Sequence, residues 1–291
     1  MTDYSTRYER YRSYAEREIE TYLDSCSHIP EPLLSAMKYA VLGGGKRIRP
    51  VMALHGAELA CGDMTVAKYA AIAVELVHSY SLVHDDMPCM DNDVLRRGLP
   101  TTHVKFGEGM ALLAGDGLLS ESFEVMLKSA DSAKSSAAFL RACKIFSSCI
   151  GCDGMVAGQC VDLTGNEDYS VEYLQLKKTS ALLKCGLCTG AALGGADQKL
   201  IKALSDYADN VGLAFQITDD ILDVIGDSNI IGKSVGKDSE QNKRTFTALY
   251  GLDGSKRIAK DYVDRALDAI ADIDDKAFLT EFALKILKRD R

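Results

Sequence analysis

Leu82-Val83-His84-Asp85-Asp86-Met87-Pro88-Cys89-Met90-Asp91-Asn92-Asp93 closes an apolar stretch, Ala67 to Leu82, in which hydrophobic residues recur at helical spacing. Four carboxylates fall between positions 85 and 93. On an unbroken helix, Asp85 and Asp91 would lie on different faces. Pro88 argues against continuity, because it disfavours helical geometry at Met87 and brings no backbone donor. A bulged helix end would return Asp91 to the side of Asp85. Carboxylates crowded in this way repel one another unless a cation sits between them. Mg²⁺ is the hard cation that bridges carboxylates to substrate phosphates.

The helical pattern continues along the chain. Val104 to Lys128, Ser136 to Ile150, Val171 to Leu193 and Ala196 to Val224 each carry apolar residues at helical spacing, with almost no period-two alternation. Ser255 to Leu287 offers two more helices with charged faces. There are five prolines in 291 residues, and no repeat, low-complexity tract or Pro/Gly/Ser-rich linker divides the chain. The expectation is an all-α fold, a single domain of ten or more helices. A second acidic cluster lies in one of these helices, at Phe215-Gln216-Ile217-Thr218-Asp219-Asp220-Ile221-Leu222-Asp223. Asp219 and Asp223 are spaced i,i+4 and Asp220 and Asp223 i,i+3, so the three share one side of a helix. A solvated acidic face would account for either cluster alone. Two of them, each ending an apolar helix, point to metal.

Cations stand beside both acidic clusters. Gly43-Gly44-Gly45-Lys46-Arg47-Ile48-Arg49-Pro50 is a glycine-rich turn with three of them, Arg96-Arg97-Gly98 follows the first cluster, and Gly232-Lys233-Ser234-Val235-Gly236-Lys237 follows the second. Such turns offer backbone N–H groups and basic side chains to an anion. The spacing is not that of a nucleotide P-loop. With a net charge of −8, the chain lacks the basic excess that nucleic-acid binding needs. Local cations in an acidic protein indicate a polyanion held by metal and guanidinium together, and the pattern predicts two diphosphate sites.

Composition adds the setting. Hydrophobic residues make up 47% and charged residues 26%, ordinary for a globular protein, and no apolar run reaches the ~18 residues of a membrane helix. The polar start, Met1 to Arg7, predicts no secretory leader, and nine cysteines without one predict a reducing compartment, the cytoplasm. Cys149-Ile-Gly-Cys152 and Cys185-Gly-Leu-Cys188 could in principle hold zinc. Their separation and apolar surroundings favour thiols packed in the core. Tyr4, Tyr8, Tyr11 and Tyr14 form a one-sided stripe, expected to dock on the body of the protein.

On these residues the chain resembles the short-chain trans-isoprenyl diphosphate synthases, the polyprenyl synthetases, of the bacterial farnesyl diphosphate synthase type. The likeness runs nearly end to end, from the Gly-Gly-Gly-Lys-Arg-Ile-Arg-Pro segment to the last helices, with both aspartate-rich regions and the basic segments in family order. It implies one isoprenoid synthase domain over 1–291, with its helices around a deep central cavity. By the same resemblance, Asp85 and Asp91 hold two Mg²⁺ on the allylic diphosphate and Asp219 holds a third, with Asp86 and Asp220 completing the catalytic acids. Lys46, Arg49, His78 and Arg97 would bind the diphosphate of isopentenyl diphosphate. Arg96, Lys178 and Lys233 would hold the allylic diphosphate, Lys243 would close over it, and Thr179 and Gln216 would flank the developing cation. A homodimer formed through helix faces is also implied.

The implied reaction ionises an allylic diphosphate, adds the double bond of isopentenyl diphosphate and loses a proton to the released diphosphate. No Ser, Cys or His nucleophile is required, and none stands out. Product length is expected to depend on Tyr80, five residues before Asp85 and so roughly 7.5 Å down the helix. Ser79 is small and leaves the depth to Tyr80. In the family, an aromatic residue there, with two residues inserted in the first aspartate region, accompanies a fifteen-carbon product; ordinary core packing is the alternative for Tyr80. Products of ten or twenty carbons would use the same chemistry. A terpene cyclase would not need the Lys46, Arg49 and Arg97 site, and a silent regulatory subunit should have lost acidic positions. Thr247 stands where the family has Pro after Lys243-Arg244-Thr245-Phe246, which leaves the local turn open.

Overall fold

A computed structural model describes residues 3–225 and 244–288. Apolar spacing becomes helix throughout, as α1 (Tyr4–Ser25), α2 (Glu31–Leu42), α3 (Ile48–Cys61), α4 (Lys68–Asp85), α5 (Thr102–Phe106), α6 (Glu108–Leu127), α7 (Ser136–Ile150), α8 (Met155–Thr164), α9 (Val171–Gln175), α10 (Ala181–Leu193), α11 (Gln198–Ile225), α12 (Phe246–Ala269) and α13 (Ala277–Ile286). The strands among the described residues are two short antiparallel ones, β1 (Leu95–Arg96) and β2 (Leu99–Pro100), which make a hairpin after the first acidic cluster. The fold is all-α.

Three helical stretches differ from the sequence expectation. Val104 to Lys128 is not one helix, because Gly107 sits at φ 84°, ψ 156°, a conformation that only glycine adopts readily, and the chain turns there between α5 and α6. Val171 to Leu193 is continuous, but Leu176–Ser180 widens into a π turn between α9 and α10. The last third starts earlier than Ser255, at Phe246, where Thr245 caps α12 by accepting the N–H of Ala248; Gly251, at φ 67°, bends that helix.

The residues group into two compact units, each assembled from separate stretches of chain. One comprises Tyr8–Cys143 and Thr189–Gly195 and contains the first acidic cluster. The other comprises Met1–Arg7, Lys144–Cys188 and Ala196–Arg291 and contains the second. We call them the Asp85 unit and the Asp219 unit.

In the Asp85 unit, α4 packs on α3 and α6, and α2 packs on α6. α4 is apolar almost all round, and Ala70 to Val77 are all buried, as expected of a central helix. Two close approaches need glycine. A Cβ on Gly115 would lie 2.0 Å from Nε2 of His84, and one on Gly190 would lie 1.9 Å from the carbonyl oxygen of Ala53. In the Asp219 unit, α11 packs along α12 and against the π turn. Its core includes Val171, Leu213, Ile217, Ile221, Phe246 and Ala259. Phe246 is fully buried, and its truncation to alanine should cost about 3–5 kcal/mol. Tyr4 stacks on Phe278 at 5.0 Å in the Asp219 unit, while in the Asp85 unit Tyr8 donates to the carbonyl of Lys46 at 2.6 Å and Tyr11 is buried beside His55, so the tyrosine stripe docks on the body.

Candidate active site

α4 ends at Asp85, and the chain beyond it folds back on the helix end. The N–H of Met87 bonds to the carbonyl of His84, that of Asp91 to the carbonyl of Asp85 at 2.8 Å, and that of Asp93 to the carbonyl of Asp86 at 3.1 Å. Asn92 makes the return possible by adopting φ 52°. Asp91 is thus bonded through its backbone to Asp85, the bulge that Pro88 suggested. A helix C-terminus carries partial negative charge, so two aspartates there are electrostatically uphill and call for cations. Arg96 supplies one. Its Nε and Nη2 donate to both oxygens of the buried Asp86 at 2.5–2.9 Å, with Asp93 3.9 Å away. Burial pushes the Asp86 carboxyl up, against the pull of Arg96. Burial also works against the Arg96 charge, but Asp86, Asp93 and Asp85 outweigh it and raise the guanidinium pKa.

The glycine-rich turn presents its three cations unequally. Lys46 is exposed and Arg49 half-buried. Arg47 turns inward from a left-handed backbone position (φ 52°), donating to Glu75 at 2.5 Å and to the carbonyl of Val41 at 2.8 Å, with both Arg47 and Glu75 buried. Arg47 therefore leaves the set of three cations expected for an anion. Arg97, also left-handed at φ 54°, reaches the same turn and donates to the carbonyl of Gly44. A Cβ on Gly45 would lie 2.9 Å from its guanidinium, so the missing side chain makes room for the arginine. His78 lies on α4 among Arg49, Arg97, Arg96 and Arg47. Burial first, and then those four charges, hold its imidazole neutral, with a pKa well below the ordinary histidine value. A cleft of the same unit is lined by Tyr39, Ser79, Asp86, Arg96, Arg97 and Thr102. Ser79 thus faces the cleft. Tyr80, the next residue, meets the edge of the His84 ring at 5.8 Å and is buried; burial, then Asp85, pushes its hydroxyl up to about 12.

In the Asp219 unit the π turn carries Lys178 and Thr179. A Cβ on Gly158 would lie 2.3 Å from the backbone nitrogen of Lys178, so α8 meets the widened turn backbone to backbone. Lys178 is paired with Asp162 of α8. Thr179 reaches Gln175 and Gln216 at 3.1 and 3.2 Å. On α11 the three aspartates separate. Asp219 and Asp223 are half-buried, whereas Asp220 is buried and accepts the N–H of Phe246 at 2.9 Å and the Nε2 of Gln216 at 3.0 Å. Asp220 thus ties α11 to the start of α12. Lys233 and Lys243 lie outside the described residues. Of the paired cysteines, Cys149, Cys185 and Cys188 are buried as expected, but Cys152 is exposed, because α7 ends at Ile150 and Cys152 falls in the turn after it.

Among the described residues, no three His, Cys, Asp or Glu side chains converge as a closed metal cage. Mg²⁺ does not need such a cage: it takes one or two carboxylates and fills its remaining positions with phosphate and water. The all-oxygen donors at Asp85, Asp91 and Asp219 fit it. Comparison with known proteins decides the family. The polyprenyl synthetase family model matches residues 30–279.

This chain belongs to the polyprenyl synthetase family.

Two polyprenyl synthetase relatives stand at equal identity. The farnesyl diphosphate synthase of Geobacillus stearothermophilus is 42% identical over 254 residues, 85% of this chain and 86% of that one. The chloroplastic geranylgeranyl pyrophosphate synthase of Catharanthus roseus is 42% identical over 259 residues, 87% and 72% of the two chains. Among solved structures, a geranyltransferase from Helicobacter pylori complexed with magnesium and isoprenyl diphosphate superposes with a TM-score of 0.79 at 31% identity, covering 99% of this chain and 98% of that one. The protein is a short-chain prenyltransferase of a Mg²⁺-dependent family. Sequence reasoning missed two residues that the structure ties to the predicted ones: Glu75, which pairs with Arg47, and Gln175, which reaches Thr179. Glu75 had a signal, being the one acid inside the apolar run of α4.

Proposed function

We propose that this prenyltransferase condenses isopentenyl diphosphate with dimethylallyl and geranyl diphosphate to give farnesyl diphosphate. Asp85 and Asp91 would carry two Mg²⁺ and Asp219 a third. When bound, the metal withdraws charge from the allylic diphosphate and makes it a leaving group. Lys46, Arg49 and Arg97 hold the diphosphate of isopentenyl diphosphate, and neutral His78 adds an N–H without adding charge. Arg96 serves the allylic diphosphate with its Nη1 edge, since Asp86 engages Nε and Nη2. Lys178, Lys233 and Lys243 are assigned to the same diphosphate. Thr179 and Gln216 present oxygen to the developing cation, and the proton lost after condensation passes to the released diphosphate.

The observation that carries the fifteen-carbon reading is the buried Tyr80 ring, five residues before Asp85 on the same helix and pressed against His84. A ring in that place would stop a growing tail. The equal identity to a geranylgeranyl synthase supports a second reading, a twenty-carbon product from the same site. Incubation with Mg²⁺, isopentenyl diphosphate and dimethylallyl diphosphate, followed by dephosphorylation and sizing of the alcohols, separates the two. A C15 alcohol that lengthens in Tyr80→Ala supports Tyr80 as the floor; a C20 product from the unaltered protein removes it.

Residues 1–291 are taken as one isoprenoid synthase domain, supported by the span of the family match. A homodimer is part of the proposal. α6 bears an exposed apolar stripe, Leu112, Leu113, Phe123 and Leu127, on a helix whose other side is buried. A cytoplasmic setting is supported by nine cysteines, all of them thiols. No helix among the described residues is long and apolar enough to cross a membrane.

A further inference from the structure

Five groups of the Asp219 unit form one chain of polar contacts. Gln175 Oε1 lies 3.1 Å from Thr179 Oγ1, Thr179 Oγ1 lies 3.2 Å from Gln216 Oε1, and Gln216 Nε2 donates to Asp220 Oδ1 at 3.0 Å. The backbone N–H of Phe246 closes the chain on Asp220 Oδ2 at 2.9 Å. Gln175 and Asp220, near its two ends, are buried.

The direction of every bond follows from the Phe246 end. A backbone N–H can only donate and a carboxylate can only accept. Asp220 therefore takes an N–H on each oxygen, which holds the NH2 of Gln216 toward it and turns Gln216 Oε1 toward Thr179. The Thr179 hydroxyl has a single hydrogen, and Gln216 Oε1 requires it. Gln175 cannot then offer its own oxygen to Thr179 without setting two acceptors against each other. A half-turn of its terminal amide puts the NH2 in the same place, and the contact becomes an N–H···O bond.

We propose that Gln175 is a positioning residue: it donates its amide N–H to Thr179 and so commits the Thr179 hydroxyl hydrogen to Gln216. Among the described residues, one lone pair of Thr179 Oγ1 then stays unengaged, an electron-rich point fixed on the π turn. A fixed dipole of that sign stabilises positive charge developing beside it, without reorganising during the reaction. The inference rests on the proposed placement of Thr179 and Gln216 beside the allylic cation and explains how their orientation is set.

Gln175→Glu and Gln175→Leu are nearly the same shape and test this. Ionised glutamate only accepts, so it draws the Thr179 hydrogen away from Gln216; leucine leaves that hydrogen where it is. Gln175→Glu should lower kcat about tenfold with both KM values within about twofold, whereas Gln175→Leu should lose only about two- to threefold. In a Thr179→Val background the two Gln175 variants should become equivalent. A glutamate variant as active as the unaltered protein, or more active than the leucine variant, overturns the proposal, and so does a difference that persists without the hydroxyl. If Gln175→Glu does not fold, as judged by Tm, the cycle of Gln175→Leu with Thr179→Val decides. A coupling below about twofold in kcat then overturns the proposal. Thr179→Val with unchanged kcat would remove the underlying role of Thr179 and the proposal with it. Thr179→Val that lowers kcat, beside indistinguishable Gln175 variants, would remove the proposal alone.

Discussion

Arg47 and Glu75 are both buried and 2.5 Å apart, so neither charge has water to fall back on. Breaking such a pair from one side leaves the other charge stranded, at about 3–5 kcal/mol. Arg47→Met should therefore lower Tm sharply, and adding Glu75→Gln should restore much of it; a double variant no better than the single would show that the pair is not the source. His78 makes a pH prediction. Its folded pKa is depressed by burial and by Arg49, Arg97, Arg96 and Arg47, so the unfolded chain protonates first. Stability is therefore complete above about pH 6.5, the ordinary histidine value, and is lost as pH falls below it. His78→Asn should flatten Tm against pH between about pH 5 and 7, and an unchanged slope would assign the effect to another group. At this scale the sequence was legible where Pro88 broke the helix, since Asp91 does return to Asp85 through its backbone. It was not legible where a side chain's direction decided, as when Arg47 turned from the anion set to Glu75. Three cations in one turn look equivalent until backbone conformation separates them.

Helices were legible from apolar spacing, and their interruptions were not. Pro88 announced the end of α4 because proline disfavours helical geometry at the residue before it. Gly107 gave no such notice: a single glycine is tolerated inside a helix, and only its observed φ of 84° divides α5 from α6. The π turn at Leu176–Ser180 was silent too, because one extra residue in a turn leaves composition unchanged. What marks it is Gly158 on α8, which lets the Lys178 backbone approach to a distance no Cβ would permit. Gly158→Ala should push α8 off the turn, disturb the Lys178–Asp162 pair and lower kcat at least about tenfold, with a loss of Tm. Wild-type kinetics in this variant would show that the turn does not need the contact. Gly115→Ala sets a Cβ against the His84 ring, which holds Tyr80 edge-on. It should broaden the product-length distribution toward longer chains, read by sizing the alcohols; an unaltered distribution would separate Tyr80 from its neighbour.

The whole molecule leaves the α6 stripe facing outward, with Leu113 and Leu127 each more than half exposed at 53% and 61%. Leu113→Glu combined with Leu127→Glu should convert a dimer to a monomer by light scattering, with little change in the monomer's helix content. A dimer that survives both charges would place the interface elsewhere. The two units also bear on how the chain is made. A protein synthesised from its N-terminus has every residue of the Asp85 unit in hand once Gly195 has emerged. The Asp219 unit must wait for α13, because Tyr4 stacks on Phe278 and Arg7 pairs with Asp275 at 3.0 Å. On the ribosome, the arginines around Asp85 should therefore take their places while α13, for which the Asp219 unit waits, is still to emerge. Tyr4 and Arg7, made long before their partners Phe278 and Asp275, would be among the last to dock.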